Sequence, residues 1–260
     1  MAVAAAAALL CLAAMVVRQP ARSSEPPRPT DPNRWAVLVG VDHFEGRTHS
    51  NVGAVGDAHL FAKVLTERGW DPKHIVLLTD GDATQANIRA AFAWLAQHAT
   101  DQSFSVFHYS GHVHQAMMDG ALHQQLWPHD NQFISDTEFA DAMRSVPGHM
   151  WVDVAGCEAG GFDDGVSGPN RLFTASSQVN EKSYENPAWH ESVFSGMAVD
   201  QAIEQRMADN NHDGVVSINE AFGFADQHAP AMTAQQSAGP QHPFTRGGDG
   251  REWTLESPPE

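Results

Sequence analysis

The sequence predicts an α/β fold, a mostly parallel sheet with helices packed on both faces, and three observations carry that expectation. Short unbroken apolar runs recur, as in "WAVLVGVDHF", "HIVLLTD" and "HMWVDVAG", the pattern of strands buried on both faces. Stretches with apolar side chains at helical spacing separate them, and this alternation indicates βαβ units. The residues best suited to chemistry follow the ends of strands, where open α/β sheets carry their sites.

"WAVLVGVDHF" is the first strand. "DAHLFAKVLTERGW" then places Leu60, Phe61, Val64 and Leu65 on one helical face, and Gly69 supplies the stop. "HIVLLTD" is the second strand, and "ATQANIRAAFAWLAQH" is a helix with Ile88, Ala91, Phe92 and Leu95 on one face. "FSVFHYSGH" is the third strand. "SDTEFADAMRSV" opens on a capping box, Ser135 to Glu138, and carries Phe139, Ala142, Met143 and Val146 on one face. "HMWVDVAG" and "RLFTASS" are the fourth and fifth strands, and "SVFSGMAVDQAIEQRM" is a further helix. The tail "SAGPQHPFTRGGDGREWTLE" reads as an extended segment and a closing strand.

A chain of 260 residues with 42% hydrophobic content can bury one sizeable core. Its net charge of −17 argues against a nucleic-acid partner, because nothing in it could neutralise a run of phosphates. The 15 histidines make the surface charge sensitive to pH below about 6. Residues 2–17 are uninterrupted apolar residues, followed by Arg18, Arg22 and the Pro/Ser-rich "SSEPPRPTDPN". Residues 1–22 are read as a signal peptide or N-terminal membrane anchor, 23–33 as a linker and 34–256 as the folded domain. A basic stretch before the apolar run and a small-x-small cleavage site are both missing, so cleavage and anchoring stay open. The protein is expected to be exported, periplasmic or extracellular, with membrane contact only through that segment. Cleavage would leave Cys157 as the one cysteine of the mature chain, unable to form an internal disulfide.

Cys157 lies in "DVAGCEAGG", just past the fourth strand, and His112 follows the third. A thiol at a strand end is either a small core residue or a nucleophile, and a nucleophile needs an imidazole close in space. His112 is the candidate base, and "SGH" and "AGC" put small residues just before each reactive side chain. The backbone N–H groups of Cys157 and Val113 are the natural donors to an oxyanion. His112 and His114 are also spaced like two ligands on one strand face, but no HExxH or CxxC accompanies them. His108, inside an apolar strand, reads as a hydrogen-bonded core histidine.

Taken together and in this order, "WAVLVGVDHF", "GAVGDAHLFAKVLTERG", "LLTDGDATQANI", "VFHYSGH" and "DVAGCEAGGF" resemble the caspase-like cysteine peptidases, the grouping of caspases, metacaspases and legumains. "SVFHYSGH" is similar to the metacaspase histidine motif, and "CEAGGF" with "FTASSQVNEKSYENP" is similar to the legumain-like branch. The resemblance covers roughly residues 34–205. It implies a caspase-like three-layer sandwich with a mainly parallel sheet of about six strands, acting on peptide bonds. It also implies His112 as general base and acid, and Cys157 as the nucleophile forming an acyl-thioester. Two departures stand out. The glycine expected after the histidine is Val113, and the acidic residue expected two places before the cysteine, beside the S1 pocket, is Ala155. Asp153, four places back, has no obvious claim to that role. Lys182 and Ser183 fall where the legumain-like pattern approaches the S1 wall. A cation there without a carboxylate disfavours P1 Arg or Lys, so uncharged or acidic P1 residues are expected.

"DNNHDGVVSINE", residues 209–220, matches a calcium-binding EF-hand loop. Asp209, Asn211, Asp213, Ser217 and Glu220 take the side-chain ligand positions, Val215 offers its carbonyl, and Gly214 permits the turn. With no second loop to pair with, the ion is expected to be structural. A helix should follow, with Ile218, Phe222 and Ala225 on one face. The sequence calls for no organic cofactor.

The function these features point to is a cysteine endopeptidase acting on a peptide or protein. Two alternatives are a catalytically silent homologue that binds a partner, and a transpeptidase or ligase using the same acyl-enzyme.

Overall fold

The computed structural model describes residues 30–256. The expected signal or anchor at 1–22, and the linker as far as residue 29, lie outside the described residues. In chain order the elements begin with β1 (Arg34–Gly40), α1 (Ala54–Glu67), β2 (Ile75–Thr79), α2 (Gln85–His98) and β3 (Phe104–Ser110). A small sheet follows, β4 (Val113–Met118), β5 (Ala121–Leu126) and β6 (Ile134–Ser135), leading into α3 (Asp136–Ser145) and β7 (His149–Ala155). Next come β8 (Arg171–Ala175), the short hairpin β9 (Glu185–Asn186) and β10 (Glu191–Ser192), and α4 (Val193–Ser195), which continues as a π-helix over Gly196–Glu204. The chain ends with α5 (Ile218–Thr233) and β11 (Phe244–Gly247).

The main sheet has six strands in the order β11-β8-β7-β3-β1-β2, all parallel except β11. Alternation along β1 explains the three layers. Ala36 and Leu38 face one core, shared with α1, α4 and α5, while Val37 and Val39 face the other, shared with α2 and α3. Each such side chain is fully buried, which stabilises the fold by about 1.5–3 kcal/mol for one the size of leucine. The helical faces expected from spacing are buried on α1 and α2 without exception.

Four details differ from expectation. Ser135 Oγ accepts from Glu138 N–H, but the Glu138 carboxylate turns outward to Arg89, so only half of that capping box forms. On α3 Ala140 is buried where Ala142 was expected. On α5 Ala221 is buried and Phe222 only partly so. The β4–β5–β6 sheet and the β9–β10 hairpin were not foreseen, because their residues alternate little in polarity.

Register decides what stands together at the carboxyl end of the sheet. Gly40 pairs with Ser110, and Ser110 with Ala155. Neighbouring strands lie ≈ 4.8 Å apart, so the chain just beyond Ser110 and the chain just beyond Ala155 leave the sheet side by side. His112 and Cys157 are on those two exits.

Candidate active site

The two exits are tied together by short backbone contacts. Gly111 N–H donates to the Ala155 carbonyl (3.1 Å). Gly156 N–H donates to Ser176 Oγ, and its carbonyl accepts from the Ser176 and Ser177 hydroxyls at 3.0 and 2.9 Å. A Cβ at Gly156 would stand 2.8 Å from the Gly111 oxygen and 2.9 Å from Val113 Cγ2, so only glycine allows this approach. Immediately after Cys157, Glu158 adopts a left-handed backbone (φ 53°) that turns the chain away from the sheet.

His112 is held on three sides. The Tyr109 hydroxyl donates to its carbonyl (2.7 Å), its ring stacks on Phe44 (4.9 Å, 16°), and its Nε2 meets the His49 carbonyl at 2.7 Å. A carbonyl only accepts, so Nε2 carries the proton and Nδ1 is left as the basic nitrogen. Burial pulls the His112 pKa down, which keeps the ring neutral near pH 7. Burial pushes the Cys157 thiol up, and its S–H points to the Ser183 carbonyl at 3.8 Å. The resting site therefore pairs a neutral imidazole with a neutral thiol. A thiol ionised by a neighbouring imidazolium, and labelling faster than a free cysteine, was the sequence expectation. Desolvation of both groups works against that ionisation, and labelling kinetics at Cys157 test it. Among the described residues no hydrogen bond joins His112 to Cys157 directly.

Both side chains line one cleft of ≈ 360 Å³, together with Ala155, Ser183, Tyr184 and Glu185. Lys182 is not on its wall. Its Nζ pairs with the Glu158 carboxylate while half the side chain stays in solvent, so the cation argued to repel a basic P1 residue is already neutralised. Behind two lining residues of the cleft, Asp57 is fully buried, accepting from Ser110 Oγ (2.7 Å) and Ser192 N–H (2.9 Å). Burial raises the carboxyl pKa of Asp42, Asp57 and Glu185, and takes Glu191 to about 7. Charge on Asp57 raises Glu185 and Glu191 further. Among the described residues none of the four is in an ion pair with lysine or arginine.

Asp57 and Glu185 were missed in the sequence, although Asp57 carries a usable signal. It lies four residues before Phe61, on the apolar stripe of α1, where an unneeded charge is costly. His49 acts through its backbone oxygen and left no signal. Asp153 has no obvious S1 role by spacing, and alternation puts it on the same face as Ala155, one pleat deeper, where it meets His108 Nδ1 at 2.8 Å. His108 is the hydrogen-bonded core histidine expected. His114 does not join His112: it bonds Gln125 Oε1 and stacks on Phe133. A slightly larger cavity, ≈ 400 Å³, lies beyond residues 159–164 and is lined by Asp136, Asp163 and Arg246, with no candidate nucleophile.

In loop 209–220, Gly214 has the expected positive φ of 86°. Gly214 N–H donates to Asp209, Asp213 N–H to Asn211 and Val215 N–H to Asp213. Asp209 Oδ1 is buried without a partner. Ser217 and Glu220 form a capping box that starts α5, and Glu220 also accepts from Asn210 N–H. Among the described residues no three His, Cys, Asp or Glu side chains already converge on a point where a metal could sit.

The caspase-domain family model matches residues 33–238. Metacaspase-1 of Cryptococcus neoformans is 41% identical over 85 residues, 30% of this chain and 18% of that protein. Metacaspase-4 of Arabidopsis thaliana is 32% identical over 143 residues, 50% of this chain and 34% of that protein. These alignments thus span about a third or less of the curated relatives. In architecture the chain is similar to protein GSU0716 from Geobacter sulfurreducens, with a TM-score of 0.64 at 15% identity, covering 83% of this chain and 94% of that one. Caspase-1 from Spodoptera frugiperda gives 0.58 at 15% identity, covering 93% and 97%. The chain belongs to the caspase-domain family of cysteine peptidases.

Proposed function

We propose that the protein is a cysteine endopeptidase in which His112 and Cys157 form the catalytic pair. The observation that carries this reading is the tethering of His112 Nε2 to the His49 carbonyl, beside the thiol in one cleft. It leaves the ring with a single basic nitrogen. As the Cys157 Sγ–H proton passes to His112 Nδ1, sulfur bonds to the peptide carbonyl carbon and the carbonyl oxygen takes the negative charge. The N–H groups of Cys157 and Val113 are suited to hold that oxyanion, each worth roughly 3 kcal/mol. Collapse breaks the C–N bond, the leaving amine takes the proton from His112, and an acyl-thioester remains. Water then adds, with His112 removing its proton, and the thiol is restored. Because both groups are neutral at rest, His112 acts as a general base during attack and not by storing a thiolate.

The substrate class follows from charge. Glu185 lines the cleft and Asp57 is bonded to two of its lining residues, Ser110 and Ser192, neither carboxylate being paired with lysine or arginine among the described residues, which favours a cationic P1 side chain over the uncharged or acidic one suggested by Lys182. A positive group would lower the carboxyl pKa values that burial has raised. A fluorogenic P1 library tests this: P1 Arg and Lys peptides should be cleaved best, and Cys157→Ala should cleave none. Preference for P1 Asp, or cleavage by the Cys157→Ala variant, would overturn the reading.

Calcium at loop 209–220 is a companion proposal. The unpartnered buried Asp209 Oδ1 and the positive φ of Gly214 fit it. Asp209, Asn211, Asp213, Ser217, Glu220 and the Val215 carbonyl would hold the ion. Glu220 would have to release Asn210 and its cap on α5. The ion would supply structure and no chemistry. Export is proposed on the apolar run at 2–17.

A further inference from the structure

The start of α1 has no cap of its own. Its N-cap is Gly53, which has no side chain to accept the free N–H groups of the first turn. Asp42 takes one of them, and Glu185 holds the two residues that lead into the helix. Asp42 Oδ1 accepts from Ala54 N–H (2.8 Å), while Glu185 accepts from Val52 and Gly53 N–H at 3.0 and 2.9 Å. Negative charge at the positive end of a 14-residue helix is favourable, so these contacts are stronger than their number suggests.

Glu185 also lines the catalytic cleft, two residues after the Ser183 carbonyl that takes the Cys157 thiol. It therefore joins the cleft wall to the segment 41–53. Elsewhere that segment is held by Asp80, which accepts from Asp42 and His43 N–H, by the His129 carbonyl, which accepts from Glu45 N–H, and by Asn131, which accepts from Thr48 Oγ1, while Asn51 ties it to Asp42 and to the Val41 carbonyl. It carries His49, whose carbonyl fixes the tautomer and tilt of His112. The joint is tight. A Cβ at Gly53 would meet the Glu191 backbone at 2.5 Å, and one at Gly56 the His190 oxygen at 1.8 Å, so α1 lies directly on the β9–β10 hairpin.

We propose that Glu185 is a positioning residue that couples the substrate-facing wall of the cleft to the orientation of His112. The coupling runs from Glu185 through Val52 and Gly53 to His49, and from His49 to the ring. It rests on the reading of His112 as the base. A substrate that presses the wall into place thereby also sets the base, which ties turnover to occupancy of the cleft.

The test uses Glu185→Ala and Glu185→Gln in the full chain. Three readouts are taken: steady-state cleavage of a P1 Arg peptide, the pH profile of iodoacetamide labelling at Cys157, and amide exchange at Val52 and Gly53. Glu185→Ala should lower kcat about tenfold or more with a smaller change in KM. Its labelling profile should move toward that of His112→Ala, and exchange at Val52 and Gly53 should rise while β1 stays protected. Glu185→Gln keeps one acceptor oxygen and should recover part of kcat. A rise in KM alone, or a wild-type labelling profile in Glu185→Ala, overturns the proposal. If Glu185→Ala does not fold, Glu185→Gln decides: wild-type kcat with raised exchange at Val52 and Gly53 overturns it. If His112→Ala itself labels like wild type, the base assignment has failed, and that outcome is separate from a failure of the coupling.

Discussion

The cleft at the top of the sheet and the loop 209–220 are both rich in oxygen ligands, yet they are assembled in opposite ways. In the cleft, Glu185 reaches Val52 and Gly53, Ser192 reaches Asp57, and His112 reaches His49. Every partner is distant in sequence and held by the fold. In the loop, Gly214 reaches Asp209, Asp213 reaches Asn211, and Ser217 reaches Glu220. Every partner is within a few residues. The cleft carboxylates are desolvated and hold their protons more tightly than usual, whereas Asp213 lies on the exposed part of its loop. A site assembled by tertiary contacts can bury its charges and tune them. A site assembled by spacing is easier to recognise but answers mainly to the ion it meets.

The largest expected effect is at the cleft. His112→Ala should lower kcat/KM by about 10²–10⁴-fold, the usual contribution of a general base, with the melting temperature little changed because the ring lies at the cleft and outside both cores. Cleavage at the wild-type rate would remove the cleft from consideration as an active site.

Calcium tests the other half of the comparison. If the loop binds only in the folded state, calcium at a hundredfold above Kd should add about 2.7 kcal/mol of stability, read as a rise in Tm that chelator reverses. Glu220→Gln should weaken binding and leave Cys157 chemistry intact at low temperature. Calorimetry without a binding signal would reduce the loop to a capped turn.

Selectivity should respond to Asp57. Asp57→Asn keeps the shape and the hydrogen bond from Ser110, and removes a buried negative charge. The preference for P1 Arg over P1 Gln should fall about tenfold, or ~1.4 kcal/mol. An unchanged ratio would mean that the Asp57 carboxylate does not read P1 charge.

Val113 separates backbone from side chain. If its N–H holds the oxyanion as proposed, Val113→Gly should keep kcat. The structure adds a cost that spacing did not reveal: Val113 opens β4 opposite Leu126 and packs against Gly156. Loss of about 1 kcal/mol of stability is expected for glycine in a strand, measured by denaturant unfolding. A large loss of kcat with stability retained would assign the side chain a catalytic part.

The smallest effect is a slope. Burial first, then charge on Asp57 and Asp200, raises Glu191 from its ordinary value to about 7. Between the unfolded value near 4.5 and the folded value the native state holds the extra proton. This contribution to stability is therefore full at low pH and is lost as pH rises through about 7. Glu191→Gln should flatten the fall in stability over that window in chemical denaturation. An equal slope in both proteins would place the desolvation elsewhere.

What the sequence determined by itself is periodic or local. The strands β1, β2, β3, β7 and β8 are legible because cover on both faces makes them largely apolar runs, and the helices α1 and α2 because burial of one face imposes a period of about 3.6 on their apolar residues. His112 and Cys157 are legible because both follow such strands behind small residues, and the loop 209–220 is legible because its Asp, Asn, Gly, Ser and Glu residues sit at set spacings. The tertiary structure alone decided the rest. Parallel register brings Ser110 beside Ala155, and only that register makes neighbours of residues 45 positions apart, such as His108 and Asp153. It placed Asp153 against His108 and Lys182 against Glu158, which removed the grounds for an S1 pocket that repels cations. It recruited a backbone oxygen, at His49, which no side-chain pattern can announce. Desolvation works against the expected ionisation of Cys157, because a pKa depends on how much water the fold excludes and not on which residues stand nearby in the chain.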